Sequence, residues 1–309
     1  MTADATGVVH EAAHEPLMGT LVTVRVRAVD ADTAVAAEAA IVAEIERLEA
    51  ILSAHRPTSE WSRWRRGELA RPGPEVTAVL TLAAHWHGVS DGAFHPLAGM
   101  LRARWLRAAD EGTAPTRDEM SELAATIGDL PYSIADGVVE PTGDCAALDL
   151  HAIAKGWIVD RAVERAVGMR GVTELLVNAG GDLLHRGPAS ITVGIEDPRR
   201  PFDNVPPLTR VTMRDSGLAA SSGARRPLRV GGVRHSHVLD PRTGWPVEHV
   251  LGTTTIAPDA ATADAVATIV GVLPVVDALA LADSLSGVAC LLLGADGELR
   301  ASSRWPHPR

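Results

Sequence analysis

Asp264 and Thr268 lie four residues apart in an apolar stretch, so a helix there stacks a carboxylate and a hydroxyl on one face. Both are hard oxygen donors. A carboxylate beside a neutral oxygen suits Mg²⁺, which takes few protein ligands and keeps other positions for water or phosphate oxygens. The competing reading is local: Thr268 bonds back to the Asp264 carbonyl and Asp264 caps the helix. Asp149, Lys155 and Asp160 surround another predicted helix start, where unpaired N–H groups and the helix dipole favour an anion, although such charges also form plain surface pairs. Asn178-Ala179-Gly180-Gly181-Asp182 follows an apolar run, and its glycines permit either close approach to a ligand or only a tight turn. Ser236 to Gly244 places His237 in an alternating strand before a Pro- and Gly-shaped turn, where a neutral imidazole could take up a proton or serve packing alone.

His10-Glu11-Ala12-Ala13-His14 matches the zinc-protease pattern H-E-x-x-H, but Pro16 stops a helix at once and a terminal segment lacks the surrounding support such a site needs. The chain contains no G-x-G-x-x-G after a strand and no G-x-x-x-x-G-K-[ST]. Common dinucleotide and P-loop classes lose their signatures with them.

The elements that must position these residues are legible from periodicity. Leu21–Arg27 alternates as a strand, and Ile41, Ile45, Leu48 and Ile51 or Leu52 give an amphipathic helix over 32–52. Further helices are predicted over 77–86 and 118–126. Val138–Glu140 leads through Ala147–Leu150, read as a strand, into a helix reaching about Val167. Beyond it, strands are expected at 174–178, 191–195, 208–213, 228–233, 234–239 and 253–256, helices at 261–272 and 274–284, and a buried strand at 288–293 before the turn Asp296-Gly297.

The chain of 309 residues is 46% hydrophobic and 22% charged, which is globular usage with a sizeable core. Its formal charge of −10 repels nucleic acid and anionic membranes over the surface as a whole, and ten aromatic side chains, seven of them Trp, argue against base-stacking platforms. An acidic protein can still hold a nucleotide through a local cation or a helix N-terminus. Cys145 and Cys290 form no C-x-x-C pair, and the apolar run 265–276 is too short to span a bilayer. The first twenty residues lack the basic and apolar parts of a secretory signal, so a cytoplasmic protein is expected.

Taken together, these blocks resemble a known family. Met18-Gly19-Thr20, Leu52-Ser53 through Arg56-Pro57-Thr58-Ser59-Glu60, Leu148-Asp149-Leu150 through Lys155-Gly156, Asn178 to Asp182, Gly194 to Arg199, Ser236-His237 through Gly244 and Ala257-Pro258-Asp259 through Thr268 occur in the order seen in the ApbE family of FAD:protein FMN transferases. The likeness runs from about residue 16 to 295. It implies an α+β fold of two entwined lobes of mixed or antiparallel sheet with helices, FAD in the cleft between them, and Mg²⁺-dependent transfer of the FMN moiety to a Thr or Ser hydroxyl of an acceptor flavoprotein, with AMP leaving. By matching positions, the Ala152 carbonyl, Asp264 and Thr268 would hold Mg²⁺. FAD would meet Met18, His55, Ala93, Phe94, His95, Asp149, Lys155, Gly180 and Val238, and His237 would act on the acceptor hydroxyl. The expected organisation is a disordered tail over 1–15, a domain over 16–295 with a helix-rich part to about 137 and a sheet-rich part from 138, and a C-terminal tail over 296–309. The chain departs from the family at His55, where an aromatic such as Tyr is usual, at His95 in Phe94-His95-Pro96-Leu97, and at His151 and Trp64. The alternatives are a Mg²⁺-dependent FAD pyrophosphatase and a non-catalytic FAD-binding protein.

Overall fold

The computed structural model describes residues 7–200, 202, 204–223 and 228–306. The chain opens with a hairpin of β1 (Val8–Leu17) and β2 (Thr20–Ala28), then α1 (Ala31–Leu52), whose start is capped by Asp30 accepting from the Thr33 N–H at 2.8 Å. A helical lobe follows: α2 (Glu60–Arg65), α3 (Pro74–Val89), α4 (Ala98–Glu111), α5 (Arg117–Thr126) and the hairpin β3 (Tyr132–Ala135) with β4 (Val138–Pro141). Then come α6 (Ala154–Val167), β5 (Val172–Ala179), β6 (Asp182–Arg186), and the hairpin β7 (Ile191–Ile195) with β8 (Thr209–Met213). After β9 (Gly217–Ser222), two short hairpins pair β10 (Leu228–Val230) with β11 (Val233–His235) and β12 (Leu239–Asp240) with β13 (Trp245–Pro246). The chain ends with β14 (Val250–Ala257), α7 (Ala260–Val272), α8 (Val275–Ser284), β15 (Ala289–Gly294) and β16 (Leu299–Ala301).

Eight strands make one antiparallel sheet in the order β1-β2-β5-β6-β9-β14-β15-β16. Strands from the first thirty residues therefore lie beside strands laid down much later, and the expected entwining of two α+β parts is present. Alternation fixes which face is which. Val22, Val24 and Val26 of β2 turn toward α1, whose Ile41, Ile45 and Leu48 are fully buried, while Arg25 and Arg27 turn to the other face. α1, α6 and α7 cover the first face, and α7, apolar nearly all round, is sunk between α6 and the sheet. The β7–β8 hairpin and Trp305 cover part of the second face through a smaller core of Leu183, Ile195, Val211, Leu218, Ile256 and Leu291.

Both expected tails need correction within the described residues. Val8–Leu17 is a strand, missed because an edge strand needs no apolar alternation. One face of it presents His10 and His14 to Glu38 of α1, at 3.6 and 2.7 Å, and the other presents Glu11 to Arg25 at 3.2 Å. The H-E-x-x-H residues thus stand on a strand, with the glutamate facing away from both histidines. At the other end β16 pairs with β15 and Trp305 is buried, so the chain stays in the fold to at least Pro306. Residues 1–6 and 307–309 of the expected tails lie outside the described residues. Ala147–Leu150, read as a strand, is instead a turn held by the Leu148 N–H donating to the Cys145 carbonyl.

Candidate functional site

The α6–α7 contact sets the centre of the site. At Gly156 the two helices approach so closely that a Cβ would run into the Ala260 carbonyl, which is why this position tolerates only glycine at the present spacing. One turn on, the buried Asp160 accepts from the Ala260 and Ala261 N–H groups at 2.7 and 2.9 Å, capping α7 from another helix, while α7's own cap Asp259 accepts from Thr262. Burial pushes the Asp160 carboxyl up to about 7, against the pull of those two N–H donors. Asp264 is consequently not the cap. It lies in the second turn of α7, where its Oδ2 accepts from the Gly156 N–H at 3.4 Å.

Asp264 has company that the sequence did not announce. Asp182, at the start of β6 and 3% exposed, is within hydrogen-bonding reach of the Asp264 carboxyl, and its Oδ2 stands 2.9 Å from Lys155 Nζ in the first turn of α6. Burial holds both carboxyls above their ordinary range, Asp264 well above it; the Asp182 carboxylate pushes Asp264 further up, and the Lys155 ammonium opposes the rise. Lys155 thus pairs with Asp182 of β6, a partner its sequence neighbourhood did not suggest.

Two turns flank this cluster. Met18, at φ 52°, donates its N–H to Glu49 of α1 at 3.3 Å. Gly180, at φ 63°, donates to the Leu21 carbonyl at 3.2 Å and lies against Thr20, so a side chain there would meet both steric and backbone penalties. The β1–β2 and β5–β6 turns therefore lie side by side, with Met18 and Gly180 at the sheet end that carries Asp182.

A cavity of about 300 Å³ opens in the helical lobe, lined by Ala54, Arg65, Gly99, Met100, Ala103, Ala147, Leu148, Asp149 and His151. Asp149 and His151 are hydrogen-bonded, Oδ1 to Nδ1. Although burial acts to raise the Asp149 carboxyl, that bond and the charges of His151 and Arg65 hold it below its usual range, and the same bond raises His151. His55 faces His151 with ring centroids 5.8 Å apart. Arg65, which the sequence reading passed over, donates to the Leu148 carbonyl at 2.6 Å and stacks on Trp61 at 5.1 Å, so it ties α2 to the Asp149 turn. Ala93, Phe94 and His95 do not line this cavity. They are buried behind it, and the Pro96 carbonyl accepts from the Asp149 N–H at 2.7 Å. Burial, with His87 alongside, pushes His95 down to about 4. A larger cavity, about 500 Å³, lies on the other face of the sheet among Arg25, Arg27, Glu174 and β7, and takes in none of the expected site residues.

His237 is not in a strand. It sits in the bend between β11 and β12, where the Ser236 hydroxyl accepts from the Val238 N–H at 3.1 Å and interrupts the ladder. Trp105 of α4 anchors this segment, donating from Nε1 to the Gly244 carbonyl at 2.9 Å and packing on His235 and Trp245. Gly223, just past β9, abuts Ser236.

The donor set at Asp264 fits a hard divalent cation. Two carboxyl groups in contact, Asp182 buried and Asp264 half-buried, opposed by one ammonium, leave negative charge that a cation would neutralise. Among the described residues no three His, Cys, Asp or Glu side chains form a ready cage, so an ion here would also draw on hydroxyl, main-chain and ligand oxygens, as Mg²⁺ does. Thr268, four residues after Asp264 on α7, and the carbonyl of Ala152, in the turn before α6, are oxygens of that type.

Comparison with known proteins gives a consistent picture. The sequence model described as the ApbE family matches residues 18–292. Curated relatives include the FAD:protein FMN transferase of Treponema pallidum, 28% identical over 94% of this chain and 86% of that protein, and that of Klebsiella pneumoniae, 29% identical over 80% and 74%. Among solved structures, the ApbE protein of Thermotoga maritima is 26% identical with a TM-score of 0.79, covering 96% of this chain and 97% of that one. Flavin transferase ApbE of Vibrio cholerae shares the fold at 23% identity and a TM-score of 0.76, over 96% and 98%.

Proposed function

The chain belongs to the ApbE family, and on that premise we propose that it transfers the FMN moiety of FAD to a Ser or Thr hydroxyl of an acceptor flavoprotein with Mg²⁺, releasing AMP. The observation that carries the reading is the Asp182–Asp264–Lys155 cluster at the mouth of α6: a site for a dication and for phosphate at one place. When bound, Mg²⁺ would neutralise charge on the pyrophosphate as the bond breaks.

The chain's own groups then have separate tasks. Asp264, Thr268 and the Ala152 carbonyl would hold the ion, and Lys155 in the first turn of α6 would meet phosphate. Met18, Gly180 and the Asp149 turn place the rest of FAD, with His55 and His151 at the cavity edge and Ala93, Phe94 and His95 as the packing behind it. Val238 and His237 come from the β11–β12 bend that packs on α4. The acceptor oxygen attacks the phosphorus on the flavin side, the bond to the AMP phosphate breaks, and the hydroxyl proton passes to the His237 imidazole.

The test is direct. FAD, Mg²⁺ and a candidate acceptor should yield a fluorescent, covalently labelled acceptor and AMP. Free FMN with AMP and no label would replace the transferase with a pyrophosphatase. FAD that stays bound and intact for hours would leave a binding protein.

A further inference from the structure

Lys155 and Asp182 differ in freedom. Asp182 is fixed at the head of β6 and 3% exposed, whereas the Lys155 side chain keeps 31% of its surface in solvent on a flexible stem in the first turn of α6. The ammonium can swing outward, and the carboxylate cannot follow it. We propose that Lys155 is an exchangeable counter-ion: its ammonium and a divalent cation compete for the Asp182–Asp264 pair, and entry of the cation hands Lys155 to the pyrophosphate of FAD. Asp182 is the residue that makes this exchange necessary. The inference rests on the site being one for Mg²⁺ and FAD.

The charge count supports it. Two carboxylates match the charge of one dication. A dication and an ammonium together crowd three positive charges onto two acceptors at contact distance. The oxygens of a pyrophosphate offer the displaced ammonium a charge-assisted partner. Metal and FAD then assist one another's binding by more than their own contact, and the assistance is reciprocal.

Two variants test the exchange by binding alone. FAD is titrated by fluorescence in EDTA and again in Mg²⁺, and Mg²⁺ is titrated by calorimetry without FAD. Asp182→Asn, which removes the Asp182 charge from Lys155, should tighten FAD binding in EDTA by about tenfold, within the roughly 5–150-fold span of ordinary couplings, and should shrink the gain that Mg²⁺ brings. Lys155→Met, which removes the competitor, should tighten Mg²⁺ binding without FAD by about tenfold on the same scale. A lysine that only contacted phosphate would leave that metal affinity unchanged. An aspartate that only supported the fold would leave FAD affinity in EDTA unchanged or lower. Either result overturns the exchange. If Asp182→Asn does not fold, the Lys155→Met metal titration decides. If the unaltered protein binds no FAD under any condition, the flavin reading fails and that same metal titration still decides the exchange.

Discussion

The two ends of the site are made differently. At the α6–α7–β6 junction the charges are deep: Asp160 and Asp182 are 5% and 3% exposed, Asp160 fixed by the α7 N-terminus beside the Gly156 contact and Asp182 by its place at the head of β6. At the helical-lobe cavity the lining includes the Arg65 guanidinium and the exposed His151 imidazole, which His55 faces, and side-chain bonds attach Arg65 and His151. A carboxylate that must meet an ion tolerates little displacement, so the main chain sets its position. A planar ring can be gripped by several kinds of side chain, so the cavity can exchange an aromatic for a histidine and remain a cavity. Substitutions at the first end should therefore act on charge and helix register, and those at the second on fit.

The sharpest way to break that contrast is Asp264→Ala, which should abolish Mg²⁺-dependent turnover and any Mg²⁺-induced rise in Tm while leaving the circular dichroism spectrum intact. Full activity with a lower Tm would make Asp264 a structural residue only. Next in size, His237→Ala should slow acceptor labelling by about 10²–10⁴-fold, the usual contribution of a positioned base, with FAD affinity unchanged. Lost FAD binding with normal labelling at saturation would instead make it a cofactor contact. Gly156→Ala should lower stability by about 1–3 kcal/mol, the usual overpacking cost, and weaken Mg²⁺ binding because α7 must move. Denaturant melts and calorimetry measure the two, and a variant as stable as the parent would show that the crossing is not tight.

The smallest effect belongs behind the cavity. His95 sits at about 4, below the ordinary 6.5, so the unfolded chain takes up its proton first as pH falls. The stability that neutral His95 contributes is complete above about pH 6.5 and is lost as pH drops from 6.5 toward 4. Melting curves of His95→Gln across this window should be flatter than those of the parent. Equal slopes would place the acid sensitivity elsewhere.

Much of the frame was readable in the sequence because local rules agreed with tertiary ones. The 32–52 helix showed an apolar stripe, and Asp264 and Thr268 were found because a helix brings i and i+4 together. Asp182 was not readable as a member of that cluster, since only the β6–α7 arrangement brings it to Asp264. Arg65 escaped for the same reason: its partners, the Ala146 and Leu148 carbonyls, belong to a distant turn. The strand assigned to His237 failed on a local competitor, the Ser236 hydroxyl, which takes the Val238 N–H that a ladder would have used. Ala147–Leu150 looks apolar because it packs inward from a turn, and burial alone does not distinguish turn from strand.

The sheet order also has a consequence for how the molecule is made. β2 takes its second neighbour from β5, and the whole helical lobe lies between Ala28 and Val172 in the chain. At about 5–20 residues per second of synthesis, the Val22-Val24-Val26 face waits on the order of ten seconds for the strand that completes its pairing. During that interval only α1 can cover it. The early folding unit during translation is therefore the β1–β2 hairpin closed by α1, with the His10 and His14 contacts to Glu38 fastening its edge, and the helical lobe grows as an insertion beside a half-built sheet.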